Sequence, residues 1–185
     1  NNMSHALPSD SQSQTAKTEK VKETELRSVK GMRDLIGSEL FAYQGFFEKA
    51  SEIAVYYGFK PIETPILEPE ELFVRGVGDG TDIVEKEMYT LRTKGGSKLA
   101  LRPEGTAAIM RAYFEHGLQT EPQPIMLYYF GPFFRHENPQ HGRWRQFYQF
   151  GLEILGTKKS IADAMIIKLT LLILNEVGLK NLVVK

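Results

Sequence analysis

Apolar residues first fall into a helical rhythm between Ser38 and Tyr57, where Leu40, Phe46, Phe47, Ala50, Ile53, Ala54 and Tyr57 recur at three- and four-residue spacing. That spacing predicts one helix with an apolar stripe, and Ser38 suits its N-cap while Gly58 suits its C′ position. Phe59 to Leu67 then reads as extended. Pro61 and Pro65 confine it to a sheet edge, because proline has no N–H to give a ladder. Glu87–Arg92 and Lys98–Arg102 predict two strands joined through Gly95-Gly96, a hairpin signal. Pro103 suits the first position of a helix that holds Ala107, Ala108, Met110, Arg111 and Tyr113 and ends at Gly117. Ile125–Arg135 and Arg145–Leu155 are rich in Phe, Tyr, Leu and Ile and predict a long antiparallel pair. Ser160 suits the cap of a last helix, Ile161 to about Val177, closed by Gly178. Leu182-Val183-Val184 then begins a strand.

Helices mixed irregularly with mostly antiparallel strands predict an α+β fold, an antiparallel sheet flanked by helices. A last strand without a partner after it is expected of a chain that continues in a longer protein. Residues 1–28 carry no apolar rhythm. They are rich in Ser, Gln, Thr, Lys and Glu, cannot bury enough surface to offset ordering entropy, and read as a disordered polar tail. Residues 29–185 are the folded part.

Composition narrows the function classes. The 185 residues suit one sizeable core and are few for two domains. Lys plus Arg and Asp plus Glu both number 23, so the net charge is zero, which argues against a general polyanion coat but leaves room for a local basic site. There is no cysteine, hence no disulfide and no thiolate zinc site, in keeping with a reducing, cytoplasmic compartment. No apolar run approaches the roughly 20 residues that span a bilayer, and Ala164–Leu174 is interrupted by Lys168. The tail has no apolar segment of a secretory signal, and its Asp10, Glu19, Glu23 and Glu25 are unlike a mitochondrial transit peptide.

Candidate chemistry concentrates in FFRHENPQHGRWRQFYQF, residues 133–150, where aromatic strand segments flank Arg135, His136, Glu137, His141, Arg143 and Arg145. Either the hairpin tip is simply solvated or it faces an anion. Period-two alternation puts Tyr148, Phe150, Leu152 and Ile154 on a core face and Phe147, Gln149, Gly151 and Glu153 on the other. A central glycine on that second face marks close approach of a ligand or another backbone, or else the face is merely wet. Arg135, at the end of the preceding strand, lies over the same surface and could capture phosphate or carboxylate bidentately, with Arg143 as a second cation. The plain alternative pairs Arg135 with Glu137 or Glu153. A second constellation, Arg102-Pro103-Glu104-Gly105-Thr106, turns a strand into a helix. Glu104 there is either a first-turn acid or an acceptor for a cationic ligand group. His5, His116, His136 and His141 lack carboxylates at ligand spacing, so no metal site is expected. Gly76-Val77-Gly78-Asp79-Gly80 lacks the strand before it and the Lys-Ser/Thr after it that a phosphate loop requires.

These segments resemble class II aminoacyl-tRNA synthetases, and the histidyl-tRNA synthetase family in particular. GFKPIETPILEP (58–69) with its preceding helix looks like the dimer-forming motif 1, and GPFFRHENPQHGRWRQFYQFGLEILG (131–156) looks like motif 2. TDIVEKEMYTL (81–91) and LRPEGTAAIMR (101–111) resemble the histidine-specific enzyme. The resemblance covers about residues 29–185 and implies the N-terminal portion of a class II catalytic domain. It implies activation of histidine by ATP, with Mg²⁺, to histidyl-adenylate and transfer to tRNA(His) by a homodimer. By correspondence, Arg135 contacts the α-phosphate and the substrate carboxylate, Arg143 the far phosphates and Glu137 the adenine end. Glu104, Thr106, Gln149 and Glu153 match histidine-binding positions. The family's second histidine-specific segment, its motif 3 and its anticodon-binding domain lie downstream, so this stretch alone is expected to be inactive or nearly so. The rival expectation is a non-catalytic paralogue, either a regulatory subunit of ATP phosphoribosyltransferase or a tRNA-sensing domain. Retention of Glu104, Thr106, Arg135, Arg143, Gln149 and Glu153 favours the enzyme.

Overall fold

The computed structural model describes residues 26–78, 80–138 and 142–183. The expected tail falls outside them except for Leu26, Arg27 and Ser28, which are exposed and irregular. Helix α1 (Ser38–Tyr56) leads into β1 (Lys60–Pro61), β2 (Leu67–Pro69) and α2 (Glu70–Val77). A π-helical turn (Ile83–Glu87) precedes the hairpin β3 (Thr90–Arg92) and β4 (Lys98–Leu101). Then come α3 (Thr106–Glu115), a 3₁₀ turn (Leu118–Thr120), the long strands β5 (Ile125–Phe134) and β6 (Gln146–Leu155), and α4 (Ser160–Glu176).

The fold is α+β, built on two three-stranded sheets of order β1-β5-β6 and β2-β4-β3. All pairs are antiparallel except β1 with β5, which is parallel. Pro61 sits on the edge strand, as its missing N–H requires. The β5–β6 register places Tyr129 opposite Gly151, Gly131 opposite Gln149 and Leu127 opposite Glu153.

One face of the β1-β5-β6 sheet carries the main core. Ala54 and Phe59 from the α1 end and Leu169 from α4 are buried there, packed with Met126, Tyr128, Phe150, Leu152 and Ile154. Phe47 stacks on Phe130 at 4.8 Å between centroids, and Tyr43 meets Tyr148 edge-on at 5.6 Å. The face expected to be plain core is covered only in part, since Phe130 keeps 51% and Tyr148 39% of their surface exposed. A smaller core joins Phe73 of α2, Ala100 of β4 and Ala107 of α3.

Several local expectations are corrected. Ser38 and Ser160 are the first residues of their helices and make no capping bond. Helix α3 starts at Thr106 rather than Pro103, because the Glu104 carboxylate accepts from the N–H of Thr106 (2.6 Å) and of Ala107 (3.0 Å) and takes over the first turn. Glu87 belongs to the π-helical turn, not to a strand. Leu182 and Val183 are irregular, and Val184 lies outside the described residues. The expected helix closures at Gly58, Gly117 and Gly178 are present with φ of 90°, 68° and 92°.

Arg102 locks the two sheets together. Its N–H bonds to Ile66 O and its carbonyl accepts from the Phe134 N–H. Its buried guanidinium donates to Thr64 O (2.8 Å) and Pro132 O (2.9 Å) and lies 4.6 Å from the Phe133 ring centroid. Burial lowers its pKa, opposed chiefly by Glu63. A second tie is the ion pair of Arg111 on α3 with the buried Glu68 of β2 at 2.6 Å.

Candidate active site

The second face of the β5–β6 pair carries the site, and the turn 103–106 is docked across it. At one end Arg135 Nε donates to Pro103 O at 2.9 Å. At the other end the Thr106 hydroxyl donates to Glu153 Oε1 at 2.8 Å. Arg135 and Glu153, 18 positions apart by their numbers, are thus joined through four residues of another segment. Strand alternation supplies the common surface, and the helix start supplies the bridge.

Glu104 therefore fills the structural role weighed in the sequence, acting as acceptor for the first turn of α3. Its carboxylate also stands close enough to Glu153 for its charge to be felt there. Burial pushes the Glu153 carboxyl above its ordinary range; the Thr106 hydroxyl opposes this and the Glu104 charge adds to it. Two acids that feel one another favour a cation or an N–H donor beside them.

Tyr129 lies at the centre and sequence reasoning passed it by. A Cβ on Gly151 would sit 2.2 Å from its Cζ, and a Cβ on Gly105 would sit 2.5 Å from the same atom. The ring is held between two glycines, so the central glycine of β6 makes room for a side chain rather than for a ligand or backbone. Its phenol is pushed up to about 12, by burial first and then by Glu153 and Glu104, with Arg102 opposing. It stays a neutral hydroxyl, able to donate. The signal that could have found it is the hairpin register, which sets Tyr129 directly across from Gly151 once the tip is centred between Arg135 and Arg145.

At the other end of the site, Arg135 lies 5.4 Å from the Phe147 ring centroid. Its Nη1 is 3.9 Å from Glu137 Oε1, so the plain pairing holds only as a long contact and the pairing with Glu153 does not occur. Arg143 Nη1 is 3.3 Å from the other Glu137 oxygen, and its side chain is 64% exposed. Glu137 thus sits between the two candidate cations. Gln149 is half-buried opposite Gly131, between the two ends of the site. Of the seven residues singled out from the sequence, Arg135, Glu137, Arg143, Gln149 and Glu153 lie on this hairpin face and its loop, and Glu104 and Thr106 lie on the turn docked between Arg135 and Glu153. His136 instead meets Tyr89 edge-on at 5.4 Å, and His141 lies outside the described residues.

Comparison with known proteins now decides the family. A family model described as histidyl-tRNA synthetase matches residues 31–185. The chain belongs to the histidyl-tRNA synthetase family. Among histidyl-tRNA synthetase relatives, the histidine–tRNA ligase of Desulfitobacterium hafniense (strain DSM 10664 / DCB-2) is 50% identical over 153 residues, covering 83% of this chain and 36% of that protein. The histidine–tRNA ligase of Thermoanaerobacter pseudethanolicus is 47% identical over 156 residues, 84% of this chain and 37% of that protein. The chain therefore spans about a third of the length of these relatives. Among solved structures, apo histidyl-tRNA synthetase of S. aureus aligns with TM-score 0.71 at 36% identity, over 84% of this chain and 35% of that one. A structure described as an ATP phosphoribosyltransferase regulatory subunit/histidyl-tRNA synthetase from Bacillus halodurans aligns with TM-score 0.73 at 28% identity, over 86% and 40%. Among the described residues no helix is long and apolar enough to cross a membrane.

Proposed function

We propose that this chain supplies the N-terminal part of the active site of a histidine–tRNA ligase. A histidine carboxylate oxygen attacks the α-phosphorus of ATP, the bond to the bridging oxygen breaks, and pyrophosphate leaves to give histidyl-adenylate. A hydroxyl of the 3′-terminal ribose of tRNA(His) then attacks the acyl carbon and AMP leaves. The observation that carries this reading is the docking of turn 103–106 between Arg135 and Glu153, because it ties a guanidinium and a carboxylate, the groups an anion and an N–H donor would need, to one segment.

In this reading Arg135 hydrogen-bonds the protein through Nε, gives up the long Nη1 contact with Glu137, and offers its Nη groups to the α-phosphate and the substrate carboxylate. Such preplaced charge needs no reorganisation as the pentacovalent centre develops. Arg143 reaches the far phosphates, and Glu137 leaves its arginine contacts for the adenine end. Glu104 and Thr106 take the α-amino group, and Gln149 and Glu153 take the imidazole. A wrong amino acid would cover these polar groups and leave them unpaired, which is how the site would discriminate. Magnesium would enter with ATP and supply positive charge against the charge developing on the phosphates; among the described residues no three His, Cys, Asp or Glu side chains are grouped to hold a metal by themselves. The protein would act as a cytoplasmic homodimer through the motif 1 region.

The Bacillus halodurans neighbour bears both a regulatory and a synthetase description, so a non-catalytic paralogue is the second reading. One experiment separates them. In the full-length gene product, histidine-dependent ATP–pyrophosphate exchange and charging of tRNA(His) are expected, with Arg135→Ala lowering the exchange rate by about 100-fold or more. Absence of both activities in an intact dimer supports the regulatory reading, and full exchange in Arg135→Ala overturns the assigned role of that residue.

A further inference from the structure

Arg145 and the turn before α1 stand outside every role assigned so far, yet they hold the base of the loop that carries Arg135, Glu137 and Arg143. The turn is closed by Met32 N–H donating to Val29 O at 2.8 Å. The Arg145 N–H donates to Gly31 O at 2.7 Å, and the Arg145 carbonyl accepts from the Arg135 N–H at 2.9 Å. Its side chain spans the same gap: Nε donates to Glu137 O at 3.1 Å and Nη1 to Lys30 O at 3.3 Å. A Cβ on Gly31 would lie 2.8 Å from both Cγ and Cδ of Arg145, and Gly31 has φ +83°. So only glycine lets the turn close on that arginine. Next to it, Arg33 lies 4.5 Å from the Trp144 ring centroid and pairs with Glu39 of α1, which ties the turn to the core helix.

We propose that the turn Val29–Met32, acting through the Arg145 side chain, is a positioning device for the nucleotide end of the site. Glu137 stands between the two arginines, 3.3 Å from Arg143 and 3.9 Å from Arg135, so the position of its backbone sets where both cations rest. Arg145 pins the Glu137 backbone to the turn, and its carbonyl holds the Arg135 backbone, which fixes the spacing of Arg135 and Glu137 before ATP enters. The residues assigned to the amino and imidazole groups of histidine, with Thr106 tied to Glu153, do not depend on this strut; only the carboxylate contact, shared through Arg135, does. The idea rests on the reading that Arg135 and Arg143 bind ATP.

The test uses the full-length gene product in two arms. In ATP–pyrophosphate exchange, Arg145→Ala is expected to raise KM for ATP about tenfold or more, while KM for histidine, which shares only its carboxylate contact with Arg135, rises several-fold less. Arg145→Lys, which reaches only one of the two carbonyls, recovers part of the loss. Gly31→Ala reproduces the KM effect in the wild-type background and adds less than about twofold to Arg145→Ala. In the second arm, amide hydrogen exchange at Arg135–Asn138 and Arg143–Gln146 is expected to accelerate about tenfold in Arg145→Ala, with Met126–Tyr129 unchanged. Equal rises of both KM values, or independent effects of the two substitutions, overturn the proposal. Wild type without exchange activity would sink the functional reading instead, and unchanged amide protection in Arg145→Ala would then sink the strut on its own.

Discussion

Replacing Gly151 with alanine asks whether Tyr129 is what the central glycine of β6 accommodates. The added methyl would stand 2.2 Å from Cζ, 2.4 Å from Cε1 and 2.5 Å from the hydroxyl of Tyr129. The ring has no retreat, because its far side lies against Gly105, where a Cβ would meet it at 2.5 Å. Overpacking of this kind costs about 1 to 3 kcal/mol. Without the ring the same substitution should help, since alanine in a strand interior is better than glycine by about 0.5 to 1 kcal/mol. Gly151 is not among the glycines with positive φ, so no backbone strain blurs the comparison. The sign should therefore invert between backgrounds. Gly151→Ala destabilises wild type and leaves Tyr129→Ala as stable or more so, a coupling of about 1.5 to 4 kcal/mol when the two ranges are summed. Urea unfolding followed by far-ultraviolet circular dichroism reads this directly. For a chain of this size the single mutant should also melt lower by about 2 to 12 °C. A Gly151→Ala protein within about 0.5 kcal/mol of wild type, or one equally destabilised in both backgrounds, would refute the packing argument.

Other consequences are equally open to measurement. Burial raises the Glu153 pKa in the folded protein, so the folded form holds the proton where the unfolded chain has lost it, and stability falls as pH rises through the interval just above the ordinary carboxylate value. Glu153→Gln should flatten that fall and melt higher than wild type at neutral pH, while losing histidine binding; parallel melting curves against pH would count against it. Glu68→Ala leaves the Arg111 charge beside a buried gap and should cost about 3 kcal/mol, at the low end for a broken buried pair because Arg111 keeps Glu115. Glu68→Leu with Arg111→Met should recover most of that in the same urea assay, and no recovery would show that the charge was not the cause.

Much of this was legible along the chain because its signals are local. A two-residue period placed Gln149 and Glu153 on one face of β6 without reference to anything else, and a long aromatic hairpin could hardly pair another way. Glycines after the helices marked their ends because few other residues accept a left-handed backbone. The errors were local too, and they have a common cause. Ser38, Ser160 and Pro103 are good helix-start residues, but a start is chosen by which acceptor reaches the free N–H groups. For α3 that acceptor was Glu104, a side chain whose reach the pattern does not encode.

By itself, then, the chain determined most of its elements and the faces of the long hairpin on which Arg135, Gln149 and Glu153 fall. Only the tertiary structure decided what those residues touch. It put Tyr129 against Gly105 and Gly151, buried Arg102 between two sheets, and brought Lys30 to Arg145 across 115 positions. Periods of two and of three to four fix direction within an element, since they follow from backbone geometry alone. Contacts between elements depend on how sheets and turns close on one another, and that closure is set by the packing of the whole core rather than by any one stretch.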